Sequence, residues 1–228
     1  DMVEQLMTAS LAETISIHCG ERITGVARSG EGFAVMLESG QRIEADLVVH
    51  GAGRVADLEG LGLERAGVEV GRRGIQVNPA MQTSTPHIYA VGDCAETLQL
   101  ARVADREALI AAANIVAEQT GGTRQEISYR EVPAVLFTYP QLAAVGMTEQ
   151  QLQDAGTKYW KSFDTQVGWP TYRRVGMQHA AYKILVDEDN RVLGAHVLSD
   201  QSSGIINTFK QAMIDGTDIE QLKDAAIM

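Results

Sequence analysis

A chain of 228 residues, 45% hydrophobic and 5% aromatic, has the composition of an ordinary soluble globular protein, with room for one large or two modest domains. A net charge of -11 argues against nucleic acid or an anionic membrane as the main partner, because both favour a basic face. Cys19 and Cys94 form no close redox pair, which argues against a disulfide framework and for a reducing, cytoplasmic compartment.

In chain order, Met2, Val3, Leu6, Met7 and Leu11 recur at spacings of three and four, so residues 2–13 read as an amphipathic helix capped by Asp1 and lying on a sheet. A chain that opens on Asp1 rather than Met, already in a helical pattern, reads as a piece of something longer. Short β-rich runs at 15–18, 23–28, 33–38 and 42–43, separated by turn signals at 29–32 and 39–40, predict a small meander. The apolar run 47–50 reads as a buried strand of a parallel sheet, with His50 as a core histidine. A glycine-spaced turn at Gly51 and Gly53 follows, then helical or turn-like leucines over 58–70 and strands at 75–77 and 88–91. Residues 98–118 form the best helix pattern, with Leu100, Val103, Ala104, Ala108, Ala111, Ala112 and Ile115 on its packing face and Gly121 and Gly122 at its end.

From about residue 129 the pattern changes to alternating strands and short helices. Strands are expected at 133–138, 143–147, 158–163, 183–186 and 192–197 of an antiparallel sheet, with helices at 148–155 and 201–216. Thr148 and Gln151 have capping-box spacing, and residues 187–190 read as a hairpin turn. No apolar run is long enough for a membrane span, and no signal-peptide pattern or repeat is present.

The most informative stretch is residues 83–96, TSTPHIYAVGDCAE. It reads as a short strand that delivers Asp93 to a turn at Gly92, and the carboxyl end of a strand is where α/β sheets place ligand contacts. A turn or capping aspartate is the alternative reading of Asp93, and the ligand-contacting role is the one favoured. Arg54, directly after Gly53, suits either a cofactor phosphate or a solvated loop. Arg72 and Arg73, between glycines, read as a solvated turn. The start of the long helix near Arg102 offers free amides and a positive dipole end, worth about 0.3–1 kcal/mol to a nearby anion. Cys94 reads as a small buried residue. His18, His87, His179 and His196 lack metal-ligand spacing, so no metal site is predicted. There is no GxGxxG, no Cys-x4-Cys and no arguable Ser-His-Asp set, so no catalytic residue is assigned.

The motif at 83–96 resembles the second flavin motif of the pyridine nucleotide-disulfide oxidoreductases, the glutathione reductase, dihydrolipoamide dehydrogenase and mercuric reductase group. Three further stretches are similar to that family: DLVVHGAGR at 46–54, LARVA at 100–104, and VPAVLFTYPQLAAVGMTE at 132–149. The resemblance implies that Asp93, with Gly92, holds the ribityl chain of FAD, and that amides near Val103 and Ala104 face the flavin pyrimidine edge. It implies that Gly53 and Arg54 belong to the exit from the NAD(P) domain, and that the strand at Val135 touches the nicotinamide through backbone. Ala56 and Asp57 replace the family's Pro and Asn in the turn after Arg54, and Ala101 and Arg102 replace Thr and Pro. Tyr139, where the family often has His, is expected to serve packing.

The implied fold is α/β for the remnants of the NAD(P)- and FAD-binding domains, followed by an α+β dimerisation domain with an antiparallel sheet. The expected domains are residues 1–56, the end of the NAD(P) domain; 57–125, the second half of the FAD domain; and 126–228, a dimerisation domain truncated at its C-terminus. The expected function is the C-terminal part of a flavin-dependent oxidoreductase that passes hydride from NAD(P)H to FAD and on to a disulfide or similar acceptor. The chain alone is expected to be inactive, as a homodimer contacting through 134–138 and 201–216. A non-catalytic self-association module is the alternative.

Overall fold

Asp1 caps the first helix: its side chain accepts the Met2 N–H at 2.5 Å, and α1 (Met2–Ala12) follows with Met2, Leu6 and Ala9 buried. The computed structural model describes residues 1–168 and 170–227. They form two compact units, one of Ile23–Ser128 and one of Asp1–Arg22 with the chain from Tyr129 onward.

In the first unit β1 (Ile23–Ser29), β2 (Gly32–Leu37) and β3 (Arg42–Ala45) make the expected antiparallel meander, with Ser29 opposite Gly32 and Met36 opposite Arg42. Residues 15–18, in the other unit, were expected to extend it but join no sheet. The run 47–50 is also a departure. Among the described residues it has no ladder partner, Leu47 and Val49 are 73% and 82% exposed, and His50 is exposed rather than a core histidine. An apolar run becomes a buried strand only when neighbours take its N–H and C=O groups, and the described residues supply none.

The expected strands at 75–77 and 88–91 shrink to isolated bridges: Val70 with Ile75, Ile75 with Ala95, and Gln82 with Tyr89. Their side chains still bury. Val68, Ile75, Ala90 and Ala95 form a cluster flanked by Leu58, Leu63, Val77 and Ile88. A 3-10 turn at Gly92–Cys94 then leads to α2 (Ala101–Thr120), which Gly121 ends in a left-handed cap.

The buried face of α2 is Val103, Glu107, Ile110, Ala111 and Asn114, so the helix is turned from the expected face; Leu100, Ala108, Ala112 and Ile115 are exposed. Alanines at helical spacing mark several faces equally, while polar groups can bury once bonded. Asn114 shows this: its Nδ2 donates to the Ala80 and Gln125 carbonyls at 3.0 and 2.9 Å, and its Oδ1 accepts the Gln125 N–H at 2.7 Å.

The second unit is built on a five-stranded antiparallel sheet. Its strands are β4 (Ala134–Leu136), β5 (Gln141–Gly146), β6 (Trp160–Asp164), β7 (Ala181–Val186) and β8 (Val192–Ser199), in the order β4-β5-β8-β7-β6. Its helices besides α1 are α3 (Glu149–Asp154), α4 (Pro170–Arg174), α5 (Ser202–Asp215) and α6 (Ile219–Ile227). Every residue of β8 is buried, as befits the central strand. Ile206 of α5 joins Ala195 and Val197 in the largest cluster, Met2 and Leu6 of α1 pack with Ala181 and Leu198, and Leu152 of α3 packs with Leu185 and Leu193.

The capping box at Thr148 forms as expected: Thr148 Oγ1 accepts the Gln151 N–H at 3.2 Å and Gln151 Oε1 accepts the Thr148 N–H at 2.8 Å. The hairpin turn also forms, with the Asp187 N–H on the Arg191 carbonyl at 3.0 Å. The helices α4 and α6 had no sequence expectation, although Asp218 and Gln221 form a similar reciprocal pair at the start of α6, at 2.8 and 3.2 Å. Tyr139, expected to pack, is 76% exposed, because β4 is an edge strand and the segment after it lies on the surface.

Candidate cofactor site

The Asp93 turn is assembled from backbone and two helical side chains. The extended pattern ends at Val91, and Gly92 takes a φ of 70°, a left-handed conformation that costs glycine least. A Cβ on Gly92 would come within 3.2 Å of the Ala104 methyl, so the turn and the first turn of α2 lie against each other. On the other flank the Ile75 N–H donates to the Cys94 carbonyl at 2.8 Å, and the Glu96 N–H to the Ile75 carbonyl at 2.8 Å. Gly74 permits that approach, since its Cβ would lie 2.6 Å from the Cys94 carbonyl oxygen.

This frame leaves the Asp93 side chain half exposed, with Arg54 Nη1 3.3 Å from its Oδ2. Arg54 is itself 72% exposed, so the pair is worth about 0–1 kcal/mol and both groups remain exchangeable. Gly53, ahead of Arg54, has a φ of 92° and is exposed. Two sequence-predicted groups, Arg54 and Asp93, therefore meet, although the turn at 51–57 and the motif at 83–96 are far apart in the chain.

Val103 is buried and Ala104 half-buried. The Ala104 N–H is already bonded to the Leu100 carbonyl at 3.0 Å, so the amides with no acceptor inside the helix are those of Ala101, Arg102 and Val103. Thr97 Oγ1, between the turn and the helix in sequence, is the one buried side-chain oxygen without a hydrogen-bond partner among the described residues. Cys94 is half-buried rather than buried, its Sγ 3.2 Å from the Val91 carbonyl, and it is a free thiol like the exposed Cys19. Val135 lies in the other unit, half-buried on β4 against the main cluster.

An acceptor carboxylate, an arginine able to leave it, and free amides at a helix start suit a ligand that carries hydroxyls and negative charge. The residues present fit FAD in this sense. Glu107 escaped the sequence reading: its carboxyl is fully buried and accepts the Gly92 N–H at 2.6 Å. The signal was a lone acid four residues after Val103, on the buried stripe, where a solvated helix would not place one.

A second polar network lies in the sheet unit. Lys183, 6% exposed on β7, bonds Asp1 and reaches Glu149 at 2.7 Å, and its Nζ lies 5.2 Å from the centre of the Phe163 ring. Hydrogen bonds from Lys161 at 2.8 Å, from Lys183 and from Tyr159 at 3.0 Å hold the Glu149 carboxyl at about 2. Burial, with the nearby Lys183 charge, lowers the His196 imidazole, against a raising contact with the Met147 carbonyl at 3.3 Å. Among the described residues no group of three or more His, Cys, Asp and Glu could hold a metal ion, and no helix is long and apolar enough to cross a membrane.

Comparison with known proteins gives the class first. The crystal structure of LpdA from Mycobacterium tuberculosis matches 97% of this chain with a TM-score of 0.83 at 26% identity, over 48% of its own length. The flavoprotein disulfide reductase RclA from Escherichia coli shares the fold, with a TM-score of 0.82 at 24% identity, over 98% of this chain and 51% of its own. The fold is that of the flavoprotein disulfide reductases.

Residues 1–108 match the family described as pyridine nucleotide-disulphide oxidoreductase, and residues 132–228 match that family's dimerisation domain. An uncharacterized 19.7 kDa protein in the mercuric resistance operon of Staphylococcus aureus is 34% identical over 72% of this chain and 91% of its own length. Dihydrolipoyl dehydrogenase of Thermus scotoductus is 32% identical over 92% of this chain, and mercuric reductase of Staphylococcus aureus 33% over 98%, but the chain spans only 46% and 41% of those two enzymes. The chain belongs to the pyridine nucleotide-disulphide oxidoreductase family.

Proposed function

We propose that this chain supplies the ribityl and pyrimidine side of an FAD site in an NAD(P)H-dependent disulfide oxidoreductase. The observation that carries the reading is the Asp93 carboxylate, half exposed on a turn that lies against the first turn of α2. When bound, FAD would supply the redox chemistry, accepting hydride from NAD(P)H and giving electrons to a disulfide or similar acceptor. Asp93 accepts hydrogen bonds from the ribityl hydroxyls, an orienting role with no proton transfer. The Val103 amide and its neighbours offer a positive helix end to the flavin pyrimidine edge, with Ala104 packed on Gly92 behind them. Arg54 exchanges Asp93 for a cofactor phosphate, and Gly53 gives its loop the turn that permits this. Val135 presents backbone to the nicotinamide.

In this reading residues 1–56 close an NAD(P) domain, 57–125 are the second half of an FAD domain, and 126–228 form the interface of a homodimer, through 134–138 and 201–216. The match of residues 132–228 to a dimerisation domain supports that last assignment. Two free thiols fit a reducing, cytoplasmic setting.

The test is flavin content. In the FAD-bearing form of the protein, Asp93→Ala should lower the flavin retained through purification, read from visible absorbance. Unchanged FAD content would remove Asp93 from the site. A longer, parent form of the protein that dimerises but is colourless would favour a pure assembly role. The 228-residue chain alone should bind FAD weakly or not at all, and stoichiometric FAD retained by it would overturn that expectation.

A further inference from the structure

Glu107 is the one fully buried carboxyl among the described residues, and it lies directly behind the Asp93 turn. Removing a carboxyl from water costs several kcal/mol unless strong partners replace the solvent. On a helix otherwise buried through Val103, Ile110 and Ala111, an apolar residue at 107 would be cheaper for packing alone. What an apolar residue could not do is satisfy Gly92. The left-handed turn takes the Gly92 amide out of the extended pattern and points it at α2, where Glu107 Oε2 accepts it at 2.6 Å.

The same carboxyl is three residues beyond Ala104 and four beyond Val103, so it shares the helix face that meets the turn. Gly92 is thus tied to α2 by one hydrogen bond, and it lies close enough to the helix that a Cβ on it would approach the Ala104 methyl to 3.2 Å. Cys94 is tied to Ile75 on the opposite flank. Asp93 lies between these two fixed points, with only its side chain free to turn between Arg54 and a ligand.

We propose that Glu107 is a positioning residue for the cofactor turn: its carboxyl oxygen sets the height of Gly92 above α2, and so the distance between the Asp93 carboxylate and the free amides of that helix. The role rests on the reading of Asp93 as an FAD contact. It reaches the cofactor through Gly92 and requires no contact of Glu107 with the ligand.

Two measurements test it. In the 228-residue chain, amide exchange followed by NMR should show the Gly92 N–H protected. Glu107→Gln, which keeps an acceptor oxygen of the same reach, should preserve that protection, and Glu107→Ala should lose it by about tenfold or more, the range for a hydrogen bond to a buried acceptor. In the FAD-bearing form, Glu107→Ala should speed FAD loss by about tenfold, with Glu107→Gln restoring retention to within a few fold.

Asn114→Ala is the control. It removes a buried polar group of the same helix that bonds residues 80 and 125 instead, and it should leave FAD retention near wild type. Exchange of Gly92 in the unaltered chain as fast as an open loop would overturn the proposal, and this needs no variant to fold. Equal FAD loss from Glu107→Ala and Asn114→Ala would overturn it as well, by reducing Glu107 to general stability. If Asp93→Asn leaves FAD retention unchanged, the cofactor reading itself has failed. If Asp93→Asn releases FAD and Glu107→Ala does not, the positioning role has failed alone.

Discussion

The two units hold their shapes by different means. In the sheet unit, β8 is buried along its whole length between β5 and β7, and apolar side chains from α1, α3 and α5 close around it. In the unit of residues 23–128, the stretch that carries the candidate site has single bridges where strands were expected, and its backbone is held by individual polar side chains, Glu107 on Gly92 and Asn114 on residues 80 and 125. A ladder spreads its strength over many equivalent bonds, whereas a side-chain clamp concentrates it in one residue. The difference teaches where each unit is fragile: the sheet unit through its packed volume, the unit of residues 23–128 through its clamps.

Removing volume from the sheet unit should have the largest effect. Ile206 is fully buried at the centre of its main cluster, so Ile206→Ala should cost about 3–5 kcal/mol, read as a lower denaturant midpoint. A loss below about 1 kcal/mol would mean that the cluster repacks and that the contrast with the clamped unit is overstated. Asn114→Ala should cost less, about 2–3 kcal/mol, because it strands two carbonyls and one amide. Its signature is local: faster exchange at Gln125, with β8 amides unchanged. Equal loss of protection in both units would show that they unfold together.

Legibility in the sequence followed the same division. The sheet unit announced itself by local rules. The Thr148 capping box and the turn at 187–190 each depend on neighbours a few residues away, and each is present. In the other unit the decisive partners are distant in sequence. Asp93 could be named as a ligand candidate from its turn, but its pairing with Arg54 joins segments 39 positions apart, and the bond from Gly92 to Glu107 spans 15. The run at 47–50 failed for the same cause, since its strand character depends on neighbours that no local pattern reports. Glu107 and Asn114 are easily passed over because hydropathy counts a buried, bonded acid or amide as surface, although the place of Glu107 on the buried stripe is a signal.

The smallest effect expected is in mild acid, and it should fall on the sheet unit alone. Both shifted groups that bear on it lie there, and their signs agree. His196 has its basicity lowered by burial, so the unfolded chain takes up a proton first, and stability begins to fall as pH drops below the ordinary histidine value of 6.5. Glu149 is held at about 2 against an ordinary 4.5, so its contribution is complete above 4.5 and is lost as pH falls from there toward 2. Its carboxyl is 19% exposed, and solvent screening keeps the loss between pH 4.5 and about pH 3.5 to about 1 kcal/mol. Glu149→Gln should flatten the acid limb of the stability curve while lowering stability at neutral pH, since among the described residues Lys183 then keeps only Asp1 as a carboxylate partner. The contrast between the units sharpens if, at pH 4, protection relative to the intrinsic exchange rate falls around β7 and α3 while Gly92 and Gln125 keep theirs. It breaks if the Asp93 turn loosens first.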